Sequence, residues 1–518
     1  MIFQVLLTAS AGVLAIKAVV ALFYHLTSPL RTIRGPWLAN WTSGWYAWKV
    51  WQGSFQDINC ELHEQYGKYR LLVTGPIVRY GPNRYTISDL SLVKVIYGLG
   101  KSFPKSSWYI PWGSPGQYSL FSDQNVQRHA HDRKQYQATY SMSALVHYET
   151  FVDHCANLFH VRLTELSASG CTVDMRHWFQ CYAFDVIGMI TYGERLGFLD
   201  SGDDVGNVIN ALEDHLGYAT LTGIFPWLHQ YLYPLKNLLA GGRGAGRAYV
   251  TNFTKERISE KKAKPKAFPL EDEEEDAPKA QDFLSKFLSK HTADPENFTP
   301  FHVLSGCVSN MIAGSDTTAI SLSATLYYLL KNPTSLATLR QEVDNFSSKG
   351  QLSKNPSYKE SQEMPYLQAV IKEALRLHPA TGLPMEREVP KGGATIGDYF
   401  FPEGTIVGVN TWVAHRDRRI FGQDANKFSP ERWLQDDVDR VSLMNRFWMP
   451  FGLGSRTCIG RHISMLEMCK LLPVLVRDFD FTLSQDLQEE EWRTQTYWFV
   501  KPLDFQVYLA PREIIAAS

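Results

Sequence analysis

The chain has 518 residues, of which 44% are hydrophobic and 20% charged, a balance typical of a folded globular protein and not of a disordered one. Its 52 basic and 53 acidic side chains leave a net charge of −1, and no stripe of lysine and arginine suggests a nucleic-acid partner. The seven cysteines are odd in number, scattered and without a C-x-x-C pair, which favours free thiols over a disulfide framework or a zinc knuckle.

The N-terminal segment is almost wholly apolar from Ile2 to Tyr24 and, as a helix, would be roughly 35 Å long, enough to cross a bilayer. Lys17 lies near its C-terminal end, within reach of the interface, and Arg31 and Arg34 follow it. A cleaved secretory signal fits less well, because the apolar stretch outlasts a signal core and the positive charge follows it. We therefore predict a single-pass transmembrane anchor over residues 1–24 with the remaining chain in the cytosol.

The body after a linker at residues 25–35 is predicted to be one domain over residues 36–518, mainly α with small β-sheets. The stretch Tyr69–Gly81 is typical of a hairpin that turns at Gly75 and Pro76. Most of residues 120–330 shows helical periodicity.

Two irregular segments interrupt this periodicity. Gly241–Arg247 lacks the ending of a phosphate-binding loop and is interpreted as a flexible connection. Lys261–Lys279 carries adjacent basic and acidic runs and is interpreted as a charged surface loop.

A long helix is predicted between Thr299-Pro300, an N-cap followed by proline, and the stop at Asn332-Pro333. Its middle, "AGSDTT", contains residues that oppose helix propensity, and these small and polar side chains would leave room for a ligand near the backbone. The alternative is an ordinary kink with aspartate and threonine facing solvent.

A shorter helix from Pro365 to His378-Pro379 carries Glu373 and Arg376 at i,i+3 spacing. Taken alone, this pair is usually a surface ion pair worth under about 1 kcal/mol.

The stretch "FGLGSRTCIG" surrounds Cys458 with glycines and precedes a predicted helix over Arg461–Val476. The backbone N–H groups and the dipole at a helix N-terminus favour an anion, so we expect a lowered pKa for this thiol. A thiolate in such a frame is suited to binding a metal.

Together these stretches resemble the cytochrome P-450 superfamily of haem-thiolate monooxygenases. The haem-binding pattern F-x-x-G-x-R-x-C-x-G is matched by Phe451, Gly454, Arg456, Cys458 and Gly460. The family's A-G-x-D-T pattern, E-x-x-R pair and PERW arginine are matched in order by Ala313, Gly314, Asp316, Thr317, Glu373, Arg376 and Arg432.

The resemblance implies haem b, iron protoporphyrin IX, with Cys458 as the axial iron ligand. Cations for the haem propionates would be Arg456, Arg387, and His129 with Arg133, where histidine replaces the family's usual tryptophan. It further implies that Asp316 and Thr317 deliver protons during dioxygen activation. Glu373, Arg376 and Arg432 are expected to be structural, fixing the loop that carries the cysteine.

The resemblance also implies partners. Electrons would come from a separate membrane-bound NADPH–cytochrome P-450 reductase, with Lys134, Arg461 and Lys470 as candidate docking cations. A membrane-anchored relative of this kind lies in the endoplasmic reticulum membrane with its catalytic domain in the cytosol.

The segments that line the pocket in this family are aromatic here, "SSWYIPWG", "GIFPWL" and "TYWFV", and such apolar walls predict a lipophilic substrate. The alternative is routine core packing, which is the better explanation for any single aromatic residue. The sequence most resembles microsomal members of filamentous fungi that act in secondary metabolism. We therefore expect a monooxygenase that hydroxylates, epoxidises or oxidatively couples a lipophilic small molecule. The alternatives are a haem-thiolate isomerase or dehydratase without reductase, and a membrane-tethered haem sensor without turnover.

Overall fold

The computed structural model describes residues 27–67, 76–98, 103–263 and 281–513. The anchor predicted over residues 1–24, the first strand of the predicted hairpin, and most of the charged loop lie outside these described residues. Among the described residues, no helix is both long and apolar enough to span a bilayer.

The described residues form helices joined by short connections. The helices are α1 Gly44–Trp51, α2 Phe55–Tyr66, α3 Val93–Tyr97, α4 Val126–Gln137, α5 Met142–Leu145, α6 Glu149–Ser167, α7 Met175–Tyr192, α8 Phe198–Ser201, α9 Val208–Ile224, α10 His229–Ala240, α11 Arg247–Ala263, α12 Phe283–Ala293, α13 Pro300–Lys331, α14 Pro333–Ser348, α15 Tyr358–Gln362, α16 Pro365–Leu377, α17 Thr411–Ala414, α18 Arg418–Phe421, α19 Val438–Phe447, α20 Arg461–Asp478 and α21 Gln485–Glu489.

Short strands accompany the helices. The strands are β1 Ile77–Gly81, β2 Arg84–Ile87, β3 Val173–Asp174, β4 Arg387–Glu388, β5 Ala394–Ile396, β6 Tyr399–Phe401, β7 Ile406–Gly408, β8 Phe479–Leu483, β9 Thr494–Tyr497, β10 Phe499–Pro502 and β11 Gln506–Pro511. The architecture is therefore mainly helical with small sheets, as the sequence predicts.

The described residues form two compact units. One unit contains the described residues before Ser107 together with Leu383–Ala414, and the other contains Ser107–Gly382 together with the described residues from His415 onward. The first unit, which we call the sheet unit, contains a four-stranded sheet in the order β1-β2-β7-β4. β1 runs antiparallel to β2, and β7 runs parallel to β2. β1 is thus a strand as predicted, but its described partner follows it in the chain instead of preceding it.

The second unit, which we call the helical unit, is built around α13. The helix starts after Thr299 and stops before Asn332, as predicted. A proline stands at its first position and another at the first position of the next helix, and these two prolines mark its ends. Gly314 permits close packing, since a Cβ there would lie 2.8 Å from Cδ1 of Ile187 on α7. The helix continues through "AGSDTT" without a break.

Candidate active site around Cys458

Cys458 ends a tightly folded loop that leads into α20. The Cys458 N–H donates to the Phe451 carbonyl at 2.8 Å, which folds the loop back on itself. Gly452 and Gly454 adopt φ angles of +72° and +66°, a left-handed conformation that favours glycine. A Cβ at Gly460 would meet no atom within 4 Å, so the chain leaves open space beside this cysteine.

The thiol of Cys458 is exposed on one side and closely framed by protein on the other. Burial raises its pKa, while hydrogen bonds from the backbone N–H groups of Gly460 and Arg461 and the charges of Arg133 and Arg461 oppose that rise. The prediction of a lowered pKa is therefore wrong for the chain alone, because desolvation outweighs the helix N-terminus. A cation bound at the sulfur would reverse the balance, since a metal deprotonates a coordinating thiol.

Two of the predicted anion-binding side chains lie on α4, in the same unit as Cys458. His129 is buried and Arg133 is half-buried, and their i,i+4 spacing puts both on one face of the helix. Arg456, also predicted to bind a propionate, is half-buried in a short 3-10 turn at Gly454–Arg456.

Arg387 lies on β4 in the sheet unit and is 97% buried. Its guanidinium is 4.9 Å from the Tyr97 ring centroid, and its Nη1 donates to the Glu386 carbonyl at 2.9 Å. Lys105, which sequence analysis did not single out, forms a β-bridge with Arg387 and is also buried. In the sequence, only the nearby apolar residues Phe103, Pro104 and Trp108 indicate that it could be buried.

Asp316 and Thr317 diverge from the same turn of α13. Thr317 Oγ1 donates to the Ala313 carbonyl at 2.7 Å, and the Ala313 side chain is exposed. Asp316 is buried, where Gln180 Nε2 donates to its Oδ1 at 2.6 Å and Lys501 Nζ lies 2.8 Å from its Oδ2. The alternative of a solvent-facing aspartate at a kink is wrong.

Glu373, Arg376 and Arg432 form a buried cluster, which makes the alternative of a surface pair wrong. Arg376 donates to both carboxylate oxygens of Glu373 at 2.8 and 2.7 Å, and Arg432 Nε donates at 2.8 Å. Trp433 Nε1 adds a fourth donor at 2.9 Å. A buried carboxylate with this many donors is well satisfied.

Of the three candidate docking cations, Lys134 and Arg461 are exposed, but Lys470 is not. Lys470 is 2% exposed and its Nζ lies 3.0 Å from carboxylate oxygens of both Glu149 and Asp153. The docking prediction for Lys470 is wrong, because the residue lies on the buried face of α20 and its ammonium group is paired with carboxylates inside the protein.

The three aromatic segments meet in the helical unit. Trp108 lies 5.0 Å from Trp498 and 5.3 Å from Trp112 between ring centroids. A Cβ at Gly223 would come within 2.6 Å of the Trp108 carbonyl oxygen, so this glycine lets α9 approach the tryptophan. We call Trp108, Tyr109, Trp112, Phe121 and Trp498 the aromatic cluster.

The family model for "Cytochrome P450" matches residues 35–507 of the chain. The chain belongs to the cytochrome P450 family. Its relatives include a pisatin demethylase of Fusarium vanettenii, 38% identical over 94% of this chain and 89% of the relative. A cytochrome P450 monooxygenase of Aspergillus terreus is 36% identical over 90% of this chain and 94% of the relative. The cytochrome P450 monooxygenase cicH of Emericella nidulans is 36% identical over 96% of this chain and 97% of the relative.

This cytochrome P450 is a monooxygenase, and its cofactor is haem b bound through a cysteine thiolate. The residues fit that group: Cys458 is exposed at the end of a loop turned by Gly452 and Gly454, and Gly460 leaves space beside it. When bound, haem b supplies the redox chemistry that activates dioxygen.

Proposed function

We propose that Cys458 is the axial thiolate ligand of haem b in a monooxygenase that receives electrons from a separate NADPH–cytochrome P450 reductase. The carrying observation is the loop itself: Gly452 and Gly454 turn it back, the Cys458 N–H meets the Phe451 carbonyl at 2.8 Å, and the exposed Cys458 stands just before α20. The N-terminus of that helix favours negative charge on the sulfur, the form in which it would bind iron. Arg133, Arg456, Arg387 and His129 are the cations proposed for the propionates.

Asp316 and Thr317 are proposed as the proton-delivery residues. The Thr317 hydroxyl lies one turn above the exposed Ala313, on the accessible side of α13. A hydroxyl there can hold and pass a proton, and the Asp316 carboxylate can replace it.

Glu373, Arg376 and Arg432 are proposed to be structural. Their buried network fixes the loops before Cys458 and needs no contact with the reacting atoms.

The substrate is proposed to be a lipophilic small molecule of fungal secondary metabolism, oxidised by hydroxylation, epoxidation or oxidative coupling. The aromatic cluster supports an apolar ligand, since rigid rings offer large contact area at low conformational cost. The relative named pisatin demethylase supports oxidation of a small organic molecule.

The protein is proposed to be anchored in the endoplasmic reticulum membrane by residues 1–24, with the catalytic domain in the cytosol. Support comes from the apolar sequence between Ile2 and Tyr24 and from exposed apolar side chains on α10, where Leu238 and Leu239 are each 79% exposed. Lys134 and Arg461 remain as proposed docking cations for the reductase.

The test is expression of the full chain with a reductase in yeast microsomes, followed by a mass screen of lipophilic fungal metabolites with and without NADPH. We expect a product that gains one oxygen atom or loses two hydrogens only when NADPH is present. A product formed equally well without NADPH would contradict the reductase dependence and favour the isomerase alternative. Binding of ligands without NADPH consumption would favour a sensor.

A further inference from the structure

A line of charged side chains leads from the surface of α9 to Asp316. Glu213 on α9 is 45% exposed, and its Oε1 lies 3.6 Å from the Nζ of Lys501 on β10. The same Nζ lies 2.8 Å from Oδ2 of Asp316, whose side chain is 1% exposed. Lys501 therefore stands between a buried carboxylate and one that reaches solvent.

Both oxygens of the Asp316 carboxylate are engaged in this arrangement. Gln180, itself buried, donates to Oδ1, and Lys501 occupies Oδ2. An ammonium group 2.8 Å from Oδ2 favours the ionised carboxylate, so protonation of Asp316 is disfavoured until the lysine moves away. The long, flexible lysine stem allows such a movement, because the ammonium group can rotate between partners.

The backbone of Lys501 is anchored, so the movement belongs to its side chain. Its strand is joined to β9 at Trp498, which has a φ of +71° and belongs to the aromatic cluster. Gly382 N donates to the Trp498 carbonyl and Val500 N donates to the Ala380 carbonyl, both at 2.9 Å. This hairpin keeps Nζ within reach of both carboxylates.

We propose that Lys501 is a positioning residue that alternates between Asp316 and Glu213 and thereby decides when Asp316 exchanges a proton with solvent. The inference rests on the proposed proton role of Asp316. When Lys501 pairs with Glu213, Oδ2 takes up one proton that bulk solvent supplies through water and gives it up toward the Thr317 side, so one proton moves inward and no hydroxide is left behind. The carboxylate is then ionised again and re-forms its pair with Lys501.

Substitution of Glu213 and substitution of Lys501 are expected to change proton exchange in opposite directions. In Glu213→Gln the lysine loses its second partner and stays on Asp316, so proton exchange slows. In Lys501→Gln no cation stabilises the ionised carboxylate at Oδ2, so exchange no longer waits for the lysine. The double variant should behave like Lys501→Gln, because Glu213 acts only through the lysine.

The test uses full-length haem-loaded enzyme with reductase and NADPH in air, without organic substrate, and measures NADPH oxidation and peroxide release in H2O and D2O. We expect Glu213→Gln to raise the solvent isotope effect on NADPH oxidation by roughly twofold or more, and Lys501→Gln to lower it below wild type. Lys501→Arg should stay near wild type. Lys236→Gln is the matched control, since Lys236 pairs with the neighbouring Asp214 at 2.6 Å.

Shifts in the same direction for Glu213→Gln and Lys501→Gln would overturn the proposal, as would no shift in either. Asp316→Asn distinguishes a failure of the lysine switch from a failure of the proposed function. If Asp316→Asn leaves the isotope effect unchanged, Asp316 has no proton role. If it changes the effect while the Glu213 and Lys501 variants do not, only the lysine switch is rejected.

Discussion

At the scale of single residues, Asp316 and Thr317 are neighbours in sequence but have different surroundings. Successive side chains of an α-helix point about 100° apart, so one meets Gln180 and Lys501 while the other turns back to the Ala313 carbonyl. The partners of the acid and of the alcohol therefore lie in different directions from α13. In the proposed function, a water molecule would carry the proton between them.

Thr317→Ala removes the hydroxyl on the accessible side of α13. We expect more peroxide and less product per NADPH, by roughly tenfold or more in the product ratio, because the hydroxyl no longer holds the proton-donating chain in place. Thr318→Ala is the control: Thr318 Oγ1 donates to Ser464 at 3.2 Å, so its loss should lower stability by about 1 kcal/mol and leave that ratio unchanged. Equal ratios in both variants would contradict the role of Thr317.

His415 is a fully buried residue with both ring nitrogens engaged. Its Nδ1 bonds to the Arg376 carbonyl and its Nε2 accepts from Met449 N, each at 2.9 Å. Burial, and then the charge of Arg376, lower its pKa to about 3. The folded protein thus holds His415 neutral where an unfolded chain would protonate it.

We therefore predict that the neutral His415 contributes to the free energy of unfolding above about pH 6.5. This contribution is lost as the pH falls toward 3, since only the unfolded state gains the proton in that window. Between pH 7 and 5, we expect His415→Asn to lose less unfolding free energy than wild type, by about 2 kcal/mol. Denaturant unfolding at both pH values measures this. An unchanged loss in His415→Asn would refute the assignment.

At the scale of elements, the buried cluster on α16 is connected to the cysteine loop through the backbone. Arg376 donates to the carbonyls of His415 and Ala425 at 2.7 and 2.6 Å. His415 then accepts from Met449, two residues before the Phe451 carbonyl that receives the Cys458 N–H. Movement of α16 would therefore reach the loop that holds the sulfur.

Glu373→Gln should leave Arg376 as a buried charge without its carboxylate and leave Arg432 with Asp424 alone. We expect a loss of about 3–5 kcal/mol in unfolding free energy and poor haem retention, measured by denaturation and by haem content per chain. Arg419→Gln breaks an ion pair with Asp417 in which the arginine is 60% exposed, and it should cost under about 1 kcal/mol with full haem content. Similar losses in the two variants would show that the cluster does not support the loop.

Local signals predicted the helices well, since caps and prolines act on adjacent residues. Thr299-Pro300 and Pro365 mark helix starts that the structure confirms. The pairing of β2 with β7 was not predicted, because it joins Arg84 to Ile406 across most of the chain and leaves no local pattern.

The site followed the same rule. The residues of each short motif could be named from sequence, whereas the Lys501–Asp316 pair and the burial of Lys470 depend on long-range packing. The raised pKa of the Cys458 thiol was missed because the helix N-terminus is visible in sequence and desolvation is not.

At the scale of the whole molecule, apolar side chains remain exposed on α10 and beside it. Tyr231, Leu235, Leu238 and Leu239 recur at helical spacing, and Trp227 precedes them. Such an apolar face is typical of a surface that contacts a membrane.

Removing residues 1–24 should weaken vesicle binding without abolishing it, and adding Leu238→Ser and Leu239→Ser should release the protein. Flotation with phosphatidylcholine vesicles measures the bound fraction, because each buried leucine contributes roughly 1.5–3 kcal/mol to partition. Val438→Ser, which changes an exposed apolar residue on α19, is the control. Complete release by the truncation alone would contradict a role for α10.

The central claim is that the sulfur of Cys458 binds the haem iron. The most direct measurement is the absorption spectrum of the reduced carbonyl complex of full-length protein and of Cys458→His. We predict the thiolate-type Soret band in the wild type and its loss in the variant, with part of the haem retained. An unchanged thiolate-type band in Cys458→His would contradict the account.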